Sequence, residues 1–320
     1  MHWPDGPGTT LHLDGSARDL VTAGPGRSMT IAEGSISVTV GPEREIETLA
    51  VSPDRPWTSE LVGARGGGRL RQAIEAAASE ERLAGTPLYL LLDDVPSATL
   101  IAAFAYTRWR DSWRALTETT AEAAPDSAPI TARRLALRRM EGICAGFRPG
   151  SSALGPEGLL KLDLHHNVAA VPPLADPADP EGWHALAPHP PLAMRRARRI
   201  DVWPNGNEIA VDAMFRDSSW EPDGTEVAVH EYRIEANADA GTGTLTSVTA
   251  EPRVLPYPEC PAAAPNAARM AGRRLRRLRS EVLEELRGTD CCTHLNDALR
   301  ALAEVPVMLE ALRRSTTGEP

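Results

Sequence analysis

The sequence predicts an α+β protein made of two degenerate repeats that pack against each other as a pseudo-dimer. Two observations favour this fold. In each half, segments that alternate polar and apolar residues precede segments with apolar residues at helical spacing, which is typical of antiparallel sheets covered by helices. In addition, a set of landmarks recurs in the same order about two hundred residues further along the chain, as an internal duplication requires.

Five pairs of landmarks carry the evidence for duplication. They are Trp3-Pro4 with Trp203-Pro204, Arg18-Asp19 with Arg216-Asp217, Gly63 with Gly272, Thr86 with Thr293, and Val95-Pro96 with Val305-Pro306. Each match is weak alone, but all of them keep their order and drift only by loop-sized insertions. The alternative is two unrelated halves that share common turn and helix residues. The duplication predicts that 1–106 and 196–313 superpose.

The first repeat, placed at 1–116, shows strand signals followed by helix signals. Alternation of polar and apolar residues predicts strands at 11–14, 36–40 and 46–49. An apolar stripe at helical spacing runs through Leu61, Leu70, Ile74 and Ala77, and one or two further helices are predicted over 88–92 and 98–116. This repeat contains no cysteine, so we expect it to lack the site described below.

The second repeat, placed at 196–320, follows the same order more clearly. Strands are predicted at 200–203, 209–215, 227–234 and 245–254, with hairpin turns at Asn205-Gly206 and Asp223-Gly224. After Pro258 the period changes, and one helix is predicted through Met270, Leu275, Leu278, Val282 and Leu286. Gly288 ends that helix, and a last helix runs from Thr293 towards Leu312.

The segment 117–195 differs in composition from both repeats. It contains a predicted linker at 121–129, a proline-rich extended coil at 171–191, and a glycine-rich turn at 142–152 around Cys144. Three interpretations of this cysteine stay open. The turn could bind an anion through its backbone, the thiol could act as a nucleophile with a histidine of the insertion, or it could simply be packed. The histidines concerned are His165, His166 and His184.

Composition and charge narrow the possible partners. The chain of 320 residues is 42% hydrophobic, 24% charged, and carries a net charge of −10, which argues against general nucleic-acid binding. Arginine runs at 195–199 and 273–279 oppose that conclusion. The second run lies in a predicted helix that also carries Glu281, Glu284 and Glu285, which favours a solvated helix face. No signal sequence or membrane-length apolar segment is apparent. We expect a cytoplasmic protein with a small molecule or another protein as partner, and neither nucleic acid nor membrane.

Cysteine and histidine residues of the second repeat form the candidate site. Cys260 precedes Pro261 where strands give way to helices, and Cys292 precedes Thr293, a good N-cap. The positive end of a helix favours a thiolate, so both thiols are candidate metal ligands or nucleophiles. His294 lies two residues after Cys292, and His230 lies in the third strand. The alternative is that each cysteine is a small buried apolar side chain and that His294 donates to a carbonyl.

The second repeat resembles a bacterial family described only as domain of unknown function 2889. The resemblance covers about 195–313 and rests on four features: Arg199-Ile200-Asp201, His230 in a strand, Tyr257-Pro258-Glu259-Cys260-Pro261, and Cys292-Thr293-His294-Leu295. It implies no biochemical activity.

A more distant resemblance is to the U-type iron–sulfur cluster scaffold proteins. It rests on the order of a strand ending at Asp239, a strand at 245–254, Cys260, a helix to Leu286, and Cys292-Thr293-His294. The resemblance implies that Cys260 takes the place of a cluster ligand at a strand-to-helix turn and that His230 falls near another. The late motif has its cysteine and histidine in reversed order.

These observations predict metal binding as the leading function. The expected ligands are Cys260, Cys292, His294 and His230, and the expected cofactor is zinc or an iron–sulfur cluster, since mixed Cys/His ligation suits either. One alternative is an enzyme of small-molecule metabolism that uses a cysteine or a bound metal. Another is a noncatalytic interaction protein.

Overall fold

A computed structural model describes most of the chain: residues 1–6, 8–24, 27–105, 140–155, 157–161, 167–186, 188–190, 192–221 and 223–317. The predicted linker at 121–129, the helix predicted beyond residue 105, and His165 and His166 lie outside these residues.

The first unit is a three-stranded sheet followed by helices. Strands β1 (Leu11–Thr22), β2 (Ser28–Val40) and β3 (Ile46–Ser52) pair antiparallel in chain order. Helices α1 (Gly68–Ala77), α2 (Ser79–Ala84) and α3 (Pro87–Ile101) follow. The hydroxyl of Thr86 caps α3 by accepting from the Tyr89 N–H at 3.2 Å. The segments predicted at 88–92 and from 98 thus belong to one helix.

The second unit is a larger sheet followed by helices. Strands β5 (Met194–Asn205), β6 (Glu208–Trp220), β7 (Glu226–Asp239) and β8 (Leu245–Val254) pair antiparallel in chain order, and the short β4 (Ala169–Ala170) lies beside β7. After 3₁₀ segments at Cys260–Met270 and Leu275–Arg277 come α4 (Leu278–Glu285), α5 (Thr293–Ala301) and α6 (Val305–Thr317). The predicted α+β fold with two sheet-plus-helix units is confirmed.

The backbone turns of the two units match in detail. In the first unit the N–H of Gly63 donates to the carbonyl of Ile46 at 2.7 Å, and in the second the N–H of Gly272 donates to that of Leu245 at 2.8 Å. The two glycines have φ values of 85° and 82°, a left-handed conformation that favours glycine. These landmarks therefore mark the same turn, which returns the chain to the start of the last strand.

Equivalent residues of the two units meet in the interface. Asp93 follows Thr86 in α3 by the same interval as Arg300 follows Thr293 in α5. The Arg300 guanidinium binds both carboxylate oxygens of Asp93, at 2.9 and 3.1 Å, and both side chains are buried. Contacts between equivalent positions are what a two-fold arrangement produces.

Two further arginines converge on the same carboxylate. Arg71 follows the buried Leu70 in α1, and Arg279 follows the buried Leu278 in α4. Their guanidinium groups lie 2.7 and 2.6 Å from the oxygens of Asp93. Arg279 was expected on a solvated helix face, but it is 7% exposed, because the charge pairs at the interface instead of facing water.

The prediction of one continuous helix through Met270 and Leu286 is wrong. The chain forms a 3₁₀ segment to Met270, turns at Gly272, and becomes α-helical only from Leu278. Pro265 has no N–H to donate within an α-helix, which favours the short 3₁₀ form. The predicted apolar residues are nevertheless buried, since they belong to three consecutive helical segments where one helix was expected.

The proline-rich segment crosses from the second unit to the first. Its residues 181–184 contact the first sheet: the Glu181 carbonyl accepts from Arg18, and the His184 Nε2 lies 3.1 Å from the Ser16 carbonyl. A cleft of about 1150 Å³ between the units is lined by this segment, β1 and β5. Within the described residues, no helix is long and apolar enough to cross a bilayer.

Candidate functional site

The site begins with a row of three side chains across the second sheet. Antiparallel register places Arg196 of β5 opposite Asp217 of β6, and Asp217 opposite His230 of β7. Residues directly opposite on neighbouring strands bring their side chains together on one face. The row continues the apolar face of the sheet that packs against the helices, so these polar groups lie at the edge of the core.

The carboxylate of Asp217 is fully buried and doubly bound. Its two oxygens accept from Nε and Nη2 of Arg196 at 2.8 and 2.9 Å, and its exposed fraction is 0%. A buried carboxylate requires such a partner. Arg216, the preceding residue, binds Glu231 instead, at 2.7 Å. The repeated Arg-Asp landmark is therefore not a pair of residues bound to each other, because neighbours on a strand point to opposite faces.

His294 connects this carboxylate to a thiol. Its ring stacks on that of His230, with centroids 3.5 Å apart and an interplanar angle of 18°. Its Nε2 lies 3.6 Å from the Asp217 Oδ2, and its Nδ1 lies 3.9 Å from the Cys292 Sγ. One imidazole thus faces a carboxylate on one side and a thiol on the other.

The imidazole of His294 is held in its neutral form. Burial, and then the nearby guanidinium of Arg196, lower the pKa of His294 well below its ordinary value. A neutral imidazole has a free lone pair on one nitrogen. Metal ligation and general-base chemistry both require that lone pair.

The thiol of Cys292 is also buried. It is the residue before α5 and faces the Tyr232 hydroxyl. Burial raises the pKa of Cys292 and outweighs the Tyr232 hydroxyl, which acts in the opposite direction. Burial likewise raises the pKa of Cys260. The expectation that helix ends lower the pKa of these two thiols is wrong, because desolvation is the larger effect.

Cys260 begins its 3₁₀ segment beside the insertion. Its thiol is buried, and a side chain built on Gly146 would place a Cβ only 2.7 Å from its Sγ. The same Cβ would lie 3.9 Å from the Sγ of Cys144. The structure therefore brings the glycine-rich turn to Cys260, a proximity that sequence spacing did not indicate.

The turn around Cys144 is packed against the second unit. Burial, and then the neighbouring Cys292, raise the pKa of Cys144 to about 12. Of the three histidines considered as partners, only His184 lies in a described segment, and its ring nitrogens contact the carbonyls of Ala185 and Ser16. The packed interpretation of the thiol is thus the one that the described residues favour.

Among the described residues, Asp217, His230 and His294 bring ligand-type atoms within 4.8 Å of one another. Two of these are predicted site residues, and Cys292 adjoins them through His294. Asp217 and Arg196 were not predicted as site residues. A hairpin centred on Asp223-Gly224 places Asp217 opposite His230, so the predicted turn contained the signal that pairs them.

Comparison with known proteins reaches the second unit only. Residues 194–308 match the model of a family described as a protein of unknown function, DUF2889, which agrees with the resemblance seen in the sequence. The match extends from the start of β5 into α6 and includes Cys260, Cys292, His294 and His230. The searches of curated proteins and of solved structures found no match.

Proposed function

We propose that the second unit binds a transition-metal ion, with zinc as the first candidate, through Cys292 and His294. Cys260 stays a predicted further ligand, because no group of three ligand-type atoms within 4.8 Å among the described residues includes it. The observation that carries this proposal is the 3.9 Å separation between the Cys292 Sγ and the His294 Nδ1. Two ligands of one tetrahedral zinc ion lie about 3–4 Å apart. The pair therefore needs almost no rearrangement to share an ion.

Asp217 supports this arrangement as the partner of the ligating histidine. A carboxylate beside the far nitrogen of a metal-binding histidine sets its tautomer and its orientation. The Asp217 Oδ2 lies 3.6 Å from the His294 Nε2, which favours a proton there and a lone pair on Nδ1, towards Cys292. Because Arg196 already binds both Asp217 oxygens, the carboxylate is a poorer direct ligand than the thiols.

The ring of His230 is not oriented to bind the same ion as His294. The lone pair of an imidazole lies in its ring plane, and the His230 ring is nearly parallel to the His294 ring. The two imidazoles cannot direct their lone pairs at one metal ion unless one of the rings rotates. In the arrangement described, His230 holds the His294 ring in place by stacking; its role as a ligand stays a prediction.

Metal analysis tests the proposal. We expect protein purified without oxygen to contain about one zinc per chain and to lose it when Cys292→Ser or His294→Ala is introduced. Cys291→Ser is the matched control, because the adjacent Cys291 is equally buried but its Sγ faces the Ile143 carbonyl at 3.6 Å. Iron with visible absorbance would assign an iron–sulfur cluster instead. Wild-type protein that neither contains nor takes up a metal would refute the proposal.

A second candidate is thiol chemistry, favoured by the same chain of groups. Cys292, His294 and Asp217 follow one another as thiol, imidazole and carboxylate, the order of a nucleophile, its base and an orienting acid. The thiol is only 4% exposed, so this function requires an opening that admits substrate. Rapid alkylation of Cys292 by iodoacetamide in the native protein, slowed by His294→Ala, would support it. Alkylation only after unfolding would exclude it.

A further inference from the structure

We infer that the cleft between the two units binds an organic cation, an ammonium group carried on an apolar body, and that the carboxylate of Asp19 holds the ammonium. This site is separate from the proposed metal site, because neither Cys292 nor His294 lines the cleft. Three features of the cleft support the assignment: its size, its apolar walls and the charges on its surface.

The cleft is large enough for a small-molecule ligand. Its volume of about 1150 Å³ is slightly above the range of roughly 300–1,000 Å³ usual for ligand pockets, and interfaces between domains are a common place for them. Its walls include Leu91 and Val95 of α3 from the first unit, and Ile200 of β5 and Met308 of α6 from the second. Trp183 of the proline-rich segment adds an aromatic ring. These walls fit an apolar body.

Asp19 brings a carboxylate to this cleft. It lies on β1 six positions after the buried Leu13, and an even interval along a strand places two side chains on the same face of the sheet. Both residues line the cleft, and Asp19 is half-buried. A carboxylate that is partly removed from water requires a donor or an opposite charge to compensate for its lost hydration.

Asp19 has no such partner in the part of the chain that the structure describes. No hydrogen bond or ion pair from these residues reaches its carboxylate, and the charge that acts on it is that of Glu304, another acid. Burial and then Glu304 therefore raise the pKa of Asp19. An ionisable group perturbed in this way inside a cleft is typical of a functional site. A primary ammonium would supply both N–H donors and the opposite charge.

The arginines that line the cleft already have acceptors. Arg198 donates to both oxygens of Asp94 at 2.9 Å, and Arg199 donates to Asp201 at 2.8 Å. Oxygens also lie beside the remaining arginines of the described lining: Asp217 beside Arg196, Glu226 beside Arg195, and the Glu181 carbonyl beside Arg18. An anionic ligand would compete with these contacts, whereas a cation at Asp19 competes with none that the described residues make.

Titration calorimetry of the full-length protein with octylammonium, below its micelle-forming concentration, tests the site. Octanoate is the matched probe, because it has the same chain length and the opposite charge. We expect wild type to bind octylammonium about tenfold more tightly than octanoate or better. Asp19→Asn should weaken octylammonium binding by about tenfold, the loss expected for a partly buried ion pair.

Asp201→Asn is the control variant. Asp201 lines the same cleft, but Arg199 already donates to both of its carboxylate oxygens, at 3.0 and 2.8 Å. The variant changes the charge of the cleft by the same amount as Asp19→Asn. Its affinity for octylammonium should stay within about twofold of wild type, since a carboxylate bound by arginine is a poor partner for a second cation.

Several outcomes would overturn the inference. These are a wild type that does not bind octylammonium or binds octanoate as tightly, an unchanged affinity in Asp19→Asn, and an equal loss in Asp201→Asn. Removing a half-buried charge should not destabilise the protein, so weaker binding by Asp19→Asn would not reflect unfolding. If that variant does not fold, the choice of wild type between the two probes still decides. Cys292→Ser should bind octylammonium as wild type does, so a failure of the metal proposal leaves this result unaffected.

Discussion

The residues before α5 in the second unit and before α3 in the first differ in a way that accounts for the site. The helix predicted from Thr293 towards Leu312 is divided in the structure, since a 3₁₀ turn at Leu302–Glu304 separates α5 from α6. The second unit has Cys292-Thr293-His294 where the first has Gly85-Thr86-Pro87. Gly85 adopts a left-handed conformation with φ of 61°, and a Cβ there would lie 2.8 Å from the Val307 Cγ2 and closer still to Glu304. In the first unit this position is therefore occupied by a contact from the other unit. The same fold position holds either a polar site or an interface.

The aspartates of the repeated landmark show the same contrast. Asp217 has Arg196 and His230 opposite it on neighbouring strands, whereas Asp19 has Ala32 opposite it on β2. Burial, and then the nearby Glu304, raise the pKa of Asp19 from 3.8 to about 6. The carboxylate at this position of the fold is thus ion-paired in the second unit, whereas in the first unit its affinity for a proton is raised.

The largest effect is expected from breaking the pairing between equivalent helices. Asp93→Asn removes the negative charge on which Arg71, Arg279 and Arg300 converge. We expect the free energy of unfolding to fall by about 3–5 kcal/mol, the usual loss when one partner of a buried pair is removed. Chemical denaturation measures this loss.

Arg276→Gln is the control for that experiment. Arg276 pairs with Glu310 at an exposed site, and the expected change is within about 1 kcal/mol. A loss for Asp93→Asn no larger than this control would show that contacts between equivalent positions do not hold the units together.

Replacing the two landmark aspartates with asparagine is expected to change the free energy of unfolding in opposite directions. Asp217→Asn should destabilise by about 3 kcal/mol, because it leaves Arg196 without its bidentate partner. Asp19→Asn should instead stabilise the protein at pH 7, by about 1–3 kcal/mol, since each pKa unit corresponds to about 1.4 kcal/mol and partial exposure reduces the effect. Denaturation curves of both variants at several pH values provide the comparison.

The pH dependence of Asp19→Asn follows from the sign of the shift. The pKa of Asp19 is higher in the folded protein than the ordinary value of 3.8, so the folded state binds the proton more tightly. Wild type therefore loses stability as the pH rises through about 6, and asparagine does not. The gain in stability of Asp19→Asn over wild type should be present at pH 7 and absent near pH 4. An equal advantage at both values would contradict the assignment.

The smallest expected change in stability tests whether the two glycine turns have equivalent roles in the two units. Gly63→Ala and Gly272→Ala each place a side chain on a left-handed residue with no atom within 4 Å of the new Cβ. The cost is therefore conformational, about 1–2 kcal/mol, and similar in both units. Thermal or chemical unfolding of the two variants measures it. Losses that differ by several kcal/mol would mean that the two turns do not have equivalent roles.

Much of the site could be predicted because its signals are local. Hairpin turns and strand alternation place His230, and the N-cap predicted at Thr293 places Cys292 and His294 at a helix start. The structure moves the cap by one residue: Cys292 is the N-cap of α5 and Thr293 is its first residue, with no capping hydrogen bond from a side chain. The approach of Cys144 could not be predicted, since the contact joins segments that are far apart in the chain. The same holds for Arg196, whose burial depends on an aspartate of the next strand.

Local chemistry is sufficient to indicate the two sheet-plus-helix units and the left-handed glycines, because turn residues and hydrophobic periods act over a few positions. The packing of the two units decides which charges are buried. Arg279 and Arg300 lie in α4 and α5, and Asp93 of the other unit supplies a carboxylate to both of these buried side chains. The cost of desolvating a charge depends on its three-dimensional partners, and these partners lie in distant parts of the chain.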